Sequence, residues 1–548
     1  MSKPTKAGLL RRYPALAFVV AAGALALLLP TALNVPQSGP TTLAEFAPVP
    51  GAGQGSSDVA ELGQAGSGGL GFGSGSARGE LPEQSTVGKP SQKKAQLKRC
   101  VGNPSRQTED PLSPPCVAFF EGDNGGATAK GVTKDEVTVV AALENATNDP
   151  LKGQITDCAD LPKSDEAFQD VLCKAFMKYF NERYQTYGRT VHLWSSHGVA
   201  LEDIEKRKRP FALVDQSPSR LGNEHKIISF GYTGTTRSEQ QTRAPYMVSF
   251  KQDLDDQTRL GAGYVCLKLK DKPARYAGDP LLQNQTRKIA IWYDQDVDKN
   301  RFLAELKSMC GLEIPSSWQI QGYQPSSPAA TAAARLKFDG VTTVIYLHSA
   351  SAVYIVTGYA SQQGWFPEWI VPGKNGQRDV DTNFYGRTAV QTQWANAFGL
   401  TFDYRRDAIR EQAWYRAFRE GCASCTEPAT LVSYGFWSYD MLTMLYYGIQ
   451  AAGPRLSPEN MDKGLHAIPP TGSPNPYKPA AYFAPGNYSF LKDAMGIWWD
   501  PSGAPPGTSG GGCYKLPHDG RRFRSTEWLA GDDDAKRPGP CQGDTFQT

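Results

Sequence analysis

Between residues 136 and 371, short apolar runs alternate with longer segments of helical spacing, and this alternation restricts the fold more than any other feature. "EVTVVAAL" (136–143) has strand composition, and "FQDVLCKAFMKYFNERYQTYG" (168–188) places Val171, Phe176 and Phe180 at helical spacing. "TVHLW", "FALVD" and "KIISFGY" read as short strands, and a helix is expected from beyond Asp255 through "RLGAGYVCLKLK". "RKIAIWYD" then "KNRFLAELKSMCG" repeats strand and helix, as does "TTVIYLH" then "SASAVYIVTGYASQQG"; "WIVPG" adds a strand. Strands interleaved with helices of ten residues or more predict parallel sheets with helices on both faces. Two such sets predict two α/β lobes.

A chain of 548 residues has room for two or three domains, and 11 Trp, 24 Tyr and 23 Phe are enough for substantial cores. The net charge of +3 comes from the start of the chain: Lys3, Lys6, Arg11 and Arg12 precede the first acid, Glu45, so the remainder sums to about −1. No basic patch is left to neutralise a phosphate backbone, which argues against nucleic acid as a partner.

Those four cations precede "YPALAFVVAAGALALLLPTAL" (13–33), the pattern of an export signal. Its 21 residues also suffice for a single N-terminal membrane span, with the bulk of the chain outside the cytoplasm. Residues 1–35 are therefore a signal peptide or a membrane anchor. No cysteine follows the apolar run, which excludes a bacterial lipoprotein anchor, and Arg11-Arg12 fits a twin-arginine signal only loosely. Ten cysteines, an even number, suit an oxidising compartment. Their spacing suggests the neighbour pairs Cys100–Cys116, Cys158–Cys173, Cys266–Cys310 and Cys513–Cys541. "CASC" (422–425) reads as a small disulfide loop rather than half a zinc site, since no histidine stands at ligand spacing.

Residues 36–95 are rich in Gly, Ser, Ala and Pro and bury too little apolar surface to offset their ordering cost, so they form a tether. The "GxGxG" inside follows no strand and is no nucleotide loop. Residues 96–131 are a cysteine-bounded lead-in. Lobe 1 is expected over 132–250 and about 400–485, and lobe 2 over 251–399 and about 486–505. Residues 506–548 form a cysteine-containing C-terminal extension.

The succession resembles the type 1 periplasmic binding protein family, in its branch of Leu/Ile/Val-binding components of ABC importers. The resemblance is carried by "GVTKDEVTVVAAL", "FNERYQTYGRTVHLW", "APYMVSFKQDLDDQTRLGAGYVC", "RKIAIWYDQD", "TTVIYLHSASAVYIVTGYASQQGWFPEWIVPG" and "SYGFWSYDMLTMLYYGIQAAGPRLSPENMDKGLHAI", which together span about 131 to 505. It implies two Rossmann-like lobes joined by a hinge, closing on a small solute.

Within that frame "KIISFGYTGTT" (226–236), a buried strand running into bare backbone and short hydroxyls, gains a reason. Ligands of open α/β sheets sit beyond the carboxyl ends of the strands, where glycines admit close backbone approach and threonines donate and accept hydrogen bonds. The resemblance matches "TGTT" to a loop that holds a ligand's polar head, making Thr235 and Thr236 candidates. It matches "DQSPSR" (215–220) to a serine loop, adding Ser217 and Ser219. Taken singly, each loop also reads as an ordinary self-bonded turn. Tyr293 and Asp294 end a strand and face the expected cleft. A rival reading sets Asp294, Asp296, Asp298, Asn300 and Glu305 at calcium-loop positions, but Lys299 replaces the turn glycine and a strand–cap–helix is favoured. His348 follows "TTVIYL" in the same manner, as a ligand contact or a packed ring.

One departure bears on substrate. After "WIVP" the resemblance implies an acid to pair a ligand ammonium, whereas this chain has "GKNG" with Lys374. A cation there suits a carboxylate, so an organic acid, an amide or another polar metabolite fits better than a plain α-amino acid. Lys374 as a solvated loop charge is the alternative. No H-E-x-x-H, G-x-S-x-G or P-loop is present, and Trp437, Tyr439 and Asp440 lie on a helix apolar nearly all round, as core. The expected function is an extracytoplasmic solute-binding protein, not an enzyme, without cofactor or metal, partnered by an ABC permease and ATPase. The alternative is the same fold serving as a tethered ligand sensor.

Overall fold

Strand-forming runs rich in Val, Ile and aromatic residues organise two sheets. The first contains β1 (Glu136–Leu143), β2 (Ile155–Asp157), β3 (Thr190–His197), β4 (Ala212–Asp215), β5 (Ile228–Gly231) and β6 (Met247–Ser249), in the order β2-β3-β1-β4-β5-β6. The second contains β7 (Ile289–Tyr293), β8 (Gln319–Gln321), β9 (Thr343–Leu347), β10 (Glu368–Val371), β11 (Ala397–Thr401), β12 (Ala494–Asp500) and β13 (Cys513–Lys515). Its order is β13-β12-β11-β10-β9-β7-β8, with β14 (Arg522–Phe523) also on β12. The computed structural model describes residues 100–544, except 104, 144–150, 159, 161–167, 216–221, 233, 295–296, 323–326, 349–351, 374–382, 426, 428–430 and 472–474. The expected signal or anchor (1–35) and tether (36–95) lie outside the described residues.

The central strands are parallel and in register: Val139 sits opposite Leu193 of β3 and Ala212 of β4, and Ile345 opposite Ile291 of β7 and Ile370 of β10. All five residues of β9 are buried, as expected for a strand covered on both faces. The sheets are mostly parallel, as expected, and mixed towards their edges. β2 runs antiparallel to β3, β12 antiparallel to β11, and β13 and β14 antiparallel to β12. A right-handed helical crossover is what makes neighbouring strands parallel. β12 enters instead from the other sheet, and β13 and β14 follow it without a covering helix.

Helices cover the sheets, among them α1 (Phe168–Arg183), α2 (Arg237–Thr242), α3 (Leu254–Tyr264), α4 (Lys299–Cys310), α5 (Ala413–Gly421) and α6 (Leu431–Ala452). Aspartates start two of them. Asp253 Oδ1 accepts from the Asp256 amide at 2.7 Å to cap α3, and Asp298 Oδ1 accepts from the Arg301 amide at 3.1 Å to cap α4. The helix expected beyond Asp255 thus begins one residue before it and ends in a π-helical turn, Val265–Leu269. α1 and α6 pack an aromatic core against the first sheet, where Phe180 stacks on Tyr446 at 5.1 Å between centroids and Phe176 meets Tyr439 edge-on at 5.9 Å. All five expected disulfides are present: Cys100–Cys116, Cys158–Cys173, Cys266–Cys310, Cys422–Cys425 and Cys513–Cys541. Among the described residues no helix is long and apolar enough to cross a membrane.

The chain passes between the sheets three times: after β6, after β11 and before β12. These crossings lie side by side. The Phe490 amide donates to Ser249 O at 2.9 Å, the Leu491 amide to Phe250 O at 3.0 Å, and Gln252 Nε2 to Asp493 O at 2.6 Å. Both sheets belong to one compact unit.

Candidate functional site

Each sheet has a point where chain order reverses, and the carboxyl ends of the strands there leave a crevice in which ligands of doubly wound folds bind. In the first sheet that point lies between β1 and β4, and in the second between β7 and β9. Asp294 is the first residue beyond β7 and His348 the first beyond β9. The fold brings them together, with His348 Nε2 at 2.7 Å from Asp294 Oδ1. The imidazole is wholly buried and the carboxylate nearly so, which favours a paired, oriented ring over a mobile one. The Asp294 amide donates to Leu347 O at 3.1 Å, fixing the turn, and the Tyr346 ring lies 5.9 Å from the His348 ring. Tyr293 is half-buried with Lys299 Nζ 5.3 Å from its ring centre. Of the acids of the rival calcium reading Asp296 lies outside the described residues, and the others are engaged separately: Asp294 with His348, Asp298 as the α4 cap, and Glu305 with Arg259 at 3.4 Å. Among the described residues no group of three His, Cys, Asp or Glu side chains is placed to hold a metal ion.

On the first sheet the loop after β5 explains its own composition. A side chain at Gly234 would begin 2.0 Å from Gln252 O, so bare backbone is needed where the loop meets the first crossing. The Leu254 amide donates to Thr235 O at 2.9 Å, and Thr235 Oγ1 lies 3.3 Å from Met247 Sδ. Thr236 Oγ1 accepts from the Glu239 amide at 3.1 Å and caps α2. Its neighbour Arg237 reaches the start of α3: the backbone amide donates to Asp255 Oδ2 at 2.8 Å and Nε to Asp253 Oδ2 at 2.9 Å. Thr235 and Thr236 thus stand on the first sheet's side and Tyr293, Asp294 and His348 on the second's. Ser217, Ser219 and Lys374 lie outside the described residues.

On the first and second crossings lies a buried charged cluster that the sequence reading did not single out. Asp403, just past β11, pairs with both Lys251, just past β6, and Arg406. The Tyr232 hydroxyl reaches Asp403 Oδ1 at 3.5 Å, and its ring stacks on Phe250 at 5.7 Å. The Tyr404 hydroxyl donates to Asp440 Oδ1 at 3.2 Å. Burial, helped by nearby Asp110, pushes the Asp440 carboxyl well above the usual range, against the pull of Tyr404, Lys251 and Arg406. Burial likewise raises Asp110, against the Leu112 amide and the Tyr439 hydroxyl. Lys492, in the third crossing, is brought down to about 8 by burial, despite Asp256 and Asp253 nearby. Lys251 and Asp403, each two residues past a buried strand, carried a signal close to that of Asp294, a charge following an apolar run.

Two sheets whose parallel strands each run second-first-third about the switch point, linked by three adjacent crossings, are the architecture implied by the resemblance to type 1 periplasmic binding proteins. The chain has that fold. No family model matches it, and no curated protein matches it. Many solved structures are similar to it, among them the following three. A substrate-binding protein of an ABC transporter from Aeropyrum pernix shares 12% identity over 73% of this chain and 98% of its own, at a TM-score of 0.48. A fatty acid ABC transporter substrate-binding protein from Thermomonospora curvata shares 13% over 74% and 98%, at 0.47. A solute-binding protein of an ABC transporter from Rhodopseudomonas palustris BisB5, in complex with 3,4-dihydroxybenzoic acid, shares 12% over 71% and 98%, at 0.45.

Proposed function

We propose that this type 1 periplasmic-binding-protein fold is an exported solute-binding protein of an ABC importer, which captures a small polar metabolite between its lobes and performs no chemistry on it. The reading is carried by the placement of Asp294 and His348, paired at 2.7 Å beyond adjacent strand ends at the second sheet's switch point. Ser217, Ser219, Thr235 and Thr236 contribute from lobe 1 and Tyr293, Asp294, His348 and Lys374 from lobe 2. Lobe 1 comprises 132–250 and about 400–485, and lobe 2 comprises 251–399 and about 486–505. A lysine where an acid would meet an ammonium favours organic acids and amides over α-amino acids. Five disulfides support an oxidising, extracytoplasmic setting, and residues 1–35 supply the export signal or anchor. The long tether of residues 36–95 favours a second reading, a displayed ligand sensor, which a permease and ATPase encoded alongside would argue against.

The test is a thermal-shift screen of organic acids, amides and amino acids. A ligand at a hundred times its dissociation constant adds about 2.7 kcal/mol of stability. A panel in which no compound raises the melting temperature overturns the reading.

A further inference from the structure

The residues after β12 do more than finish the second sheet. β13 pairs with β12, and the tail beyond it folds back along β13: the Leu516 amide donates to Pro540 O at 2.9 Å and the Gln542 amide to Tyr514 O at 2.7 Å. Cys513–Cys541 closes this turn covalently. The tail is also tied to the second sheet's flank, where Asn383 Nδ2 donates to Asp544 Oδ1 at 2.8 Å and Arg387 Nη2 pairs with Asp544 Oδ2 at 2.9 Å.

From that fixed base two side chains reach the crossings. Arg522 of β14 is buried, and its guanidinium spans two of them. Nε pairs with Asp493 Oδ1 at 2.7 Å and Nη2 donates to Asp493 O at 3.0 Å, in the third crossing. Nη1 donates to Asp403 O at 2.6 Å, in the second. Asp493 O also accepts Gln252 Nε2 from the first crossing, so through Asp403 and Asp493 Arg522 is joined to all three. Gln542 holds the second crossing further along: its Nε2 donates to Tyr404 O at 2.9 Å, and its Oε1 accepts the Arg406 amide at 2.9 Å. The Gly543 amide donates to Arg406 O at 3.0 Å, and a side chain at Gly543 would begin 2.2 Å from Asp407 O, so the tail lies directly on the crossing. Gln412 Nε2, immediately before α5, donates to Asp544 O at 3.2 Å.

We propose that residues 513–544 are a hinge brace, which binds the second crossing along 402–412 and the third at Asp493 to the second sheet. Arg522 and Gln542 are its two grips. Rotation of one sheet against the other is then confined to the first-sheet ends of the crossings, and the brace limits how far the free protein opens. The inference rests on the proposed reading of the crossings as a hinge between ligand-closing lobes.

The test is hydrogen exchange on the free, full-length exported chain and on Arg522→Gln and Gln542→Ala, with no ligand added. The amides of 402–412 are expected to exchange at least tenfold faster in each variant, leaving aside the Arg406 amide, whose acceptor the Gln542 change deletes, and those of 489–494 at least tenfold faster in Arg522→Gln. The amides of β1 and β9 should keep their wild-type rates. Unchanged exchange at the crossings overturns the brace, and so does uniform acceleration across both sheets, which reports general destabilisation. Should Arg522→Gln fail to fold, Gln542→Ala decides alone, since it leaves the Arg522–Asp493 pair intact. Because ligand is absent, failure here leaves the solute-binding proposal standing, and an empty ligand screen leaves the brace untouched.

Discussion

Asp403 holds two buried cations, Lys251 and Arg406, and its own side chain is almost wholly out of water. Neutralising it leaves two uncompensated charges where solvent cannot reach them, a loss of roughly 3–5 kcal/mol for a buried pair broken on one side. Asp403→Asn should therefore lower the unfolding free energy obtained from urea titration by that amount, whereas Asp294→Asn, at a less buried carboxylate, should cost less and act mainly on ligand affinity. Asp440 poses the opposite problem. Its folded-state pKa stands above the ordinary value of 3.8 through burial first and Asp110 second, so the folded chain grips this proton more tightly than the unfolded one does. Its contribution to stability is whole below pH 3.8 and is lost as the pH rises through the folded value. Asp440→Asn cannot ionise, so melting temperatures taken from pH 4 to pH 8 should fall less in the variant than in the parent. Equal slopes would show that this carboxyl does not titrate on unfolding. Asp294 and His348 were legible in the sequence because each is the first polar residue after an apolar strand. Asp440 was legible as core, from its helix apolar nearly all round, but its pairing with Tyr404, 36 residues away, was not.

The elements show where local pattern ends and connection begins. The runs "EVTVVAAL", "IAIWY" and "TVIYL" announce strands wherever they are placed, and all three are strands. Direction is not a local property. β12 carries the same kind of residues yet runs antiparallel to β11, because it arrives through a crossing from the other sheet rather than through a helix. Gly234 of "TGTT" lies against the chain itself, where a side chain would begin 2.0 Å from Gln252 O. Gly234→Ala must therefore push the loop away from the first crossing, at a cost of roughly 1–3 kcal/mol typical of overpacking. A melting temperature unchanged in that variant would mean the loop has slack. Cysteine pairing, by contrast, followed sequence proximity in every case. Cys513–Cys541 closes 28 residues, so its replacement by two serines should cost about 3–4 kcal/mol in the chain-entropy account.

At the scale of the whole molecule the question is whether two sheets behave as one body. Domains joined by linkers ordinarily unfold separately, and two-state behaviour is not expected of them. Here the joints are not linkers. The first crossing is bonded to the third through Ser249–Phe490 and Gln252–Asp493, the second to the first through Lys251–Asp403, and the second and third to each other through Arg522. Little of this was legible beforehand, since Arg522 meets Asp403 across 119 residues and nothing near either residue marks the pairing. Unfolding one sheet would strand Lys251, Asp403 and Asp493 with their partners gone, so loss of either sheet destabilises the other. The disulfide-intact chain should therefore melt in a single transition whose calorimetric and van't Hoff enthalpies agree, with coincident curves from tryptophan fluorescence and far-ultraviolet dichroism. Arg522→Gln cuts the connection at its centre and should split or broaden that transition. Two resolved transitions in the parent would mean that the crossings carry no such coupling.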